Sequence, residues 1–210
     1  MRGLDDLISQ GKVHYIGISD TPAWIVAQAN TLAELKNWNR FVGLQIEYSL
    51  LQRTPERELL PMANEFDLAI TPWGPLAGGA LTGKYLREEK HHGRVKEDSL
   101  RRSTWANEIV KVVIAHADEL GCTPAQLALK WVIDQGDLMI PIVGARKPEQ
   151  LKDSLNALSI EIPTDTADEL NAASAIELGF PHNFLSGKGV DENLFGGIKY
   201  QIINHRITKK

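Results

Sequence analysis

Four short apolar runs constrain this chain most: VHYIGIS (13–19), GLQIEYS (43–49), LAITPW (68–73) and LMIPIVG (138–144). A strand with one face in water alternates apolar and polar residues, whereas a strand covered on both faces does not. These runs are mostly apolar at consecutive positions and rich in β-branched or aromatic residues, so they read as parallel strands buried on both sides. Helical patterns separate them, at 21–38, 54–66, 101–121 and 123–136, and two more follow the last run, at 147–159 and 163–179. The stretches at 21, 54 and 123 each begin Thr-Pro, a helix cap followed by the residue best tolerated in a first turn. The alternation predicts right-handed βαβ units around a parallel sheet. In such a sheet, ligand groups gather at the carboxyl ends of the strands.

Length and composition narrow the alternatives. The 210 residues are 43% hydrophobic and 24% charged, enough for one sizeable core. The expectation is a single domain over 1–210, incomplete at its N-terminus, with a core at 4–179 and a glycine-bearing tail at 180–210. The net charge of −4 and scattered Lys and Arg give no footprint for nucleic acid. No apolar run reaches the roughly 18–20 residues of a membrane span, and MRGLDDLISQGK has no apolar signal-peptide segment. It reads instead as the last turns of a helix stopped at Gly11. The single cysteine, Cys122, excludes an internal disulfide framework and fits a reducing, cytoplasmic setting. The charged stretch 86–103 has no period and reads as a surface loop.

The strand ends hold a consistent set of polar and aromatic residues. Ser19-Asp20 precedes Thr21-Pro22 and reads as helix-capping chemistry or as ligand contacts. Gln45 lies within an apolar run. Its amide either pairs with backbone or matches another carboxamide, such as that of a nicotinamide. Trp73 is a flat apolar face, fit for core packing or for stacking on a ring. Gly78, Gly83 and Lys84 have the spacing of a phosphate-binding P-loop, but Tyr85 stands where that motif needs a metal-binding hydroxyl, so the match reads as chance. In GARKPEQLKDSL (144–155), Gly144 lets the backbone bend, and Arg146 and Lys147 precede a helix whose N-terminus suits a phosphate. Gln150 and Asp153 lie one turn apart on that helix, positioned to reach an adenine or a ribose. A basic surface loop is the plainer reading of the same segment.

YIGISD, QIEYSLLQR, TPWGPLAGGALTGKY, TPAQLALKWV and PIVGARKPEQLKDSL, in this order, resemble the aldo-keto reductases from about Leu4 to Phe184. GFPHNFL adds a resemblance to bacterial and plant members. The resemblance implies the C-terminal half of a (β/α)8 barrel, with four parallel strands, and an NADP(H)-dependent reduction of aldehydes and ketones. It implies that Ser19 and Gln45 hold the nicotinamide carboxamide and that Trp73 stacks on the ring. Gly74, Pro75, Leu76, Gly78 and Lys84 would cover the pyrophosphate. Gly144, Arg146, Gln150 and Asp153 would form the pocket of the adenosine 2′-phosphate. Two positions depart from the family pattern: Asp20 stands where Asn is usual, and Ser154 replaces a common Asn.

The resemblance also implies a catalytic Asp, Tyr, Lys and His on strands earlier than any here. His14, His91, His92, His116, His182 and His205 are misplaced as substitutes, and Tyr48 follows Gln45 rather than standing at the family's acid position. The expectation is a chain that binds cofactor and turns over a carbonyl substrate only when completed by an N-terminal half. The alternative is a non-enzymatic dinucleotide-binding or interaction half-barrel, which associates with itself or with such a half through open sheet edges and an exposed apolar interior.

Overall fold

A computed structural model describes residues 1–86 and 95–203. The described chain groups into two units, one ending at Ala175 and the other starting at Ile176. The first unit opens with α1 (Arg2–Ser9), which ends as its sequence predicts. Gly11 adopts φ +69°, and the Gly11 and Lys12 amides return to the carbonyls of Ile8 and Leu7. The Asp5 carboxylate accepts the Asn39 backbone and side-chain amides, both at 2.8 Å, which ties α1 to the chain entering the second strand. Those hydrogen bonds, the backbone one foremost, hold the Asp5 carboxyl below its ordinary value.

Strands β1 (Ile16–Ser19), β2 (Phe41–Glu47) and β3 (Ala69–Trp73) form a parallel sheet in that order, with α2 (Ala23–Leu35) and α3 (Leu59–Glu65) in the crossovers. Both junctions therefore have the expected βα alternation. The stretch at 54–66 is not one helix: a 3-10 turn (Thr54–Glu56) precedes α3. The helical pattern at 101–121 resolves into a 3-10 turn at Leu100–Arg102 and α4 (Thr104–Glu119), capped by the Ser103 hydroxyl. Helix α5 (Pro124–Ile133) starts with a reciprocal capping box between Thr123 and Gln126. Helices α6 (Pro148–Asn156) and α7 (Thr164–Ala173) follow. In the second unit, the tail contains α8 (His182–Leu185) and α9 (Lys188–Phe195).

The fourth apolar run does not form a full strand. It lies parallel beside β3, joined by hydrogen bonds from Ile70 to Leu138, from Ile140 to Ile70 and from Ile142 to Pro72, with one bridge between Ile70 and Met139. The bond that would complete the ladder is the one from residue 72 to the Ile140 carbonyl. Residue 72 is proline, which has no N–H to donate.

Among the described residues of the first unit, only one sheet face is covered, which differs from the expectation of burial on both. Leu44, Ile46 and Ile70 pack into a core with Val26 of α2, Leu60 of α3, Val110 and Val113 of α4, Leu127 and Trp131 of α5 and Leu170 of α7. The other face carries Gly17, Ser19, Gly43, Gln45, Ala69 and Thr71, all partly or fully exposed. On the three strands that face is mostly small and polar, and beside β3 the apolar Leu138, Ile140 and Ile142 are also exposed. Among the described residues, no helix is long and apolar enough to cross a membrane.

Candidate functional site

The chain leaving β3 turns sharply. Gly74, Ala77, Gly78 and Gly79 all have positive φ, so the loop folds back on itself over 74–79. The left-handed backbone at 78 and 79 disfavours a side chain, and at Gly78 a Cβ would also meet Val95 at 2.9 Å, whereas at Gly79 it would meet only the mobile end of Lys84 at 2.8 Å. The Thr82 hydroxyl clips the loop by donating to the Gly79 carbonyl at 2.8 Å. Lys84 and Arg102 each sit 4.9 Å from the centre of the Tyr85 ring, and the Tyr85 hydroxyl accepts the Val95 amide at 3.1 Å. Tyr85 thus organises the loop's cations.

An open cleft of about 590 Å³ runs from this loop to α6. It gathers Gly74, Pro75, Leu76, Gly78, Lys84, Gly144, Arg146, Gln150, Asp153 and Ser154, residues from segments 70 positions apart in the sequence. Gly79, Thr82, Ala125, Ile142 and Val143 complete the lining and were not singled out from the sequence. The glycine pair was the available signal for Gly79, and the apolar run beside it for Ile142 and Val143. Lys84 and Arg146 supply positive charge, and α6 presents its N-terminus beside Arg146 with Pro148 at its start. A Cβ at Gly144 would meet nothing within 4 Å, so the cleft wall is open there.

Three polar residues of α6 that line the cleft are already engaged. Asp153 accepts the Gln126 side-chain amide at 2.6 Å and the Thr123 hydroxyl at 3.3 Å. The Gln150 side chain accepts the Arg146 backbone N–H at 2.9 Å, and the Ser154 hydroxyl donates to the Gln150 carbonyl at 3.0 Å. Burial pushes the Cys122 thiol up, and the nearby Asp153 carboxylate adds to the shift.

Ser19, Asp20, Gln45 and Trp73 form a second group on the open sheet face. Register sets Ser19 beside Gln45 and Gln45 beside Thr71, while Glu47 stands beside Trp73. Gln45 is exposed, not buried as its apolar neighbours suggested, because it points to the uncovered face. The Trp73 indole N–H donates to Asp20 Oδ1 at 3.1 Å, and the Ser19 hydroxyl donates to Asp20 Oδ2 at 3.1 Å. Ser19 and Asp20 do not cap α2, which has no side-chain cap.

Across the glycine loop, Trp73, Gly74, Gly78, Val95, Ser99 and Arg101 line a second hollow of about 500 Å³. Arg101 forms an ion pair there with Glu47. Nothing in the sequence signals this pair, since the two residues lie 54 positions apart with no shared motif.

The candidate proton donors stand elsewhere. Tyr48 is fully buried, donates its hydroxyl to Glu56 at 2.7 Å and is pushed far above the ordinary phenol range, chiefly by burial. His116 is buried in α4 with its two ring nitrogens 3.1 Å from Glu119 and 3.0 Å from Glu169. His14 is exposed ahead of β1, at the end of the strand opposite Ser19. His182 lies in α8 of the second unit. His91, His92 and His205 fall outside the described residues.

A parallel sheet covered by helices, with its cleft at the carboxyl ends of the strands, defines an α/β protein. The chain belongs to the aldo/keto reductase family, whose model matches residues 1–175. It is 32% identical over 199 residues to norsolorinic acid reductase B of Dothistroma septosporum, covering 95% of this chain and 50% of that protein. An aryl-alcohol dehydrogenase of Pestalotiopsis microspora is 34% identical over 190 residues, 90% of this chain and 49% of that protein. An NADP(+) aryl-alcohol dehydrogenase of Phanerodontia chrysosporium is 33% identical over 201 residues, 92% and 52% of the two chains. The chain thus spans about half the length of these relatives.

Proposed function

We propose that this chain holds a nicotinamide cofactor, NADP(H) by preference, as part of an oxidoreductase that interconverts carbonyls and alcohols. The observation that carries this reading is the cleft in which Lys84, Arg146 and the N-terminus of α6 converge beside a glycine loop. The donor set fits a dinucleotide phosphate: two cations and the positive end of the α6 dipole for phosphate oxygens, and glycines that admit a ligand close to the backbone. Arg146 takes the 2′-phosphate, Lys84 and residues 74–78 the pyrophosphate, and Gly144, Gln150, Asp153 and Ser154 the adenosine end. Ser19 and Gln45 meet the carboxamide, and Trp73 lies under the ring. The bound cofactor supplies hydride chemistry. The relatives' names point to aromatic alcohols and their carbonyl partners as the substrate class.

Tyr48 and His116 are committed to carboxylates within the fold, which supports a division of labour. This chain positions the cofactor, and the proton for the carbonyl oxygen comes from a complementary N-terminal half. Titration with NADPH, followed by its fluorescence, tests the reading. Arg146→Ala should weaken NADPH by at least about tenfold, the worth of a charged hydrogen bond, and leave NADH unchanged. Unchanged NADPH affinity would remove the 2′-phosphate assignment. With an aromatic aldehyde added, the chain on its own should consume NADPH no faster than background.

A second reading, an interaction half-barrel that pairs with itself or with that N-terminal half, is favoured by one observation. Leu138, Ile140 and Ile142 beside β3 remain 46%, 57% and 44% exposed.

A further inference from the structure

Two carboxylates stand at the carboxyl ends of the strands on the open sheet face, and their situations differ. Glu47 is neutralised by Arg101. Asp20 accepts only neutral donors, the Trp73 indole N–H and the Ser19 hydroxyl, and among the described residues it makes no salt bridge. Its backbone adopts φ +47°, a conformation uncommon outside glycine, and the Asp20 amide is tied to the Gln45 carbonyl at 3.2 Å. The carboxylate is therefore held at the rim of the indole by two hydrogen bonds, and the residue is tied to both residues assigned to the carboxamide, to Ser19 through its side chain and to Gln45 through its backbone.

We infer that Asp20 discriminates between the redox states of the nicotinamide, favouring the cationic oxidised ring over the neutral reduced one. The inference rests on the cofactor reading above. An oxidised nicotinamide carries a positive charge that the reduced ring lacks, so a fixed negative charge within one side chain of the ring lowers the energy of the oxidised form alone. A single charge at a partly wet site changes the relative affinity by about five- to tenfold. Asp20 also orients Trp73, but Asn at the same position can still accept the indole N–H. Asp20→Asn therefore removes the charge and keeps the tie.

The test measures dissociation constants for NADP+ by calorimetry and for NADPH by fluorescence, in the unchanged chain and in Asp20→Asn. The expected result is a loss of about five- to tenfold in NADP+ affinity relative to NADPH, shrinking as salt is raised. Affinity for 2′,5′-ADP, which has no nicotinamide, should be the same in both proteins. If both proteins bind the two redox forms with the same ratio, Asp20 does not discriminate, and the cofactor site stands without it. An equal loss for 2′,5′-ADP would make Asp20 a structural residue and overturn the inference. Failure of the unchanged chain to bind either redox form would overturn both the cofactor reading and this one.

Discussion

Arg53 shows how a motif residue can serve the fold. Its guanidinium is bonded to both oxygens of Glu56, at 2.7 and 3.0 Å, and donates to the Asn171 carbonyl and the Ser174 hydroxyl. It also lies 5.2 Å from the centre of the Trp131 ring, which stacks on Tyr48 at 5.6 Å. One side chain thus joins the end of β2 to α5 and α7. Breaking a mostly buried ion pair by removing one partner costs about 3–5 kcal/mol. Arg53→Ala should lower the free energy of unfolding by about 3 kcal/mol in urea titrations and leave cofactor affinity in the surviving folded protein unchanged. The QIEYSLLQR motif was visible in the sequence, but its purpose was not. Asp20 with Trp73, Glu47 with Arg101, and Asp153 with Gln126 were equally hidden, at separations of 53, 54 and 27 residues. Periodicity and caps report neighbours within a turn or a strand. They carry no signal for pairs that meet only after the sheet has formed.

At the scale of elements, α5 was legible from its Thr-Pro start, α1 and α4 from the glycines that follow them, and three strands from their apolar runs, whereas Thr21 does not cap α2 and Thr54-Pro55 opens only a 3-10 turn. The glycine loop and the Gly144–Ser154 segment were also placed correctly relative to the strands, since both directly follow apolar runs. The fourth strand failed for a reason printed in the third. Pro72 has no N–H on the side facing residues 138–142, so one rung is absent and the segment keeps a single bridge. Pro72→Ala supplies the donor. The new amide at position 72 should exchange with solvent about as slowly as that of Ile70, read by hydrogen-exchange NMR or mass spectrometry. Fast exchange there would mean that the segment's distance from β3, not the proline, sets the gap.

Over the whole molecule, the two sheet faces have opposite characters. The buried face shares one core from Val26 to Leu170, while the open face holds the polar row of Ser19, Gln45 and Thr71 and the exposed Ile140 beside it. The expectation of two-sided burial missed this asymmetry because small residues such as Gly17, Gly43 and Ala69 suit a packed interior and a bare surface alike. If the open face docks a second half-barrel, sedimentation should show concentration-dependent association of this chain. Ile140→Lys should abolish that association without changing the melting transition, since the side chain is already more than half exposed.

Asp153 closes the cap of α5 while facing the cleft from α6, so a single carboxylate answers to two masters. If the cleft takes a dinucleotide as proposed, replacing Asp153 to alter its recognition would also loosen the start of a core helix. Specificity and foldedness are therefore inherited together at this position, and a route to altered recognition is easier through Arg146 or Ser154, whose partners lie within their own segment.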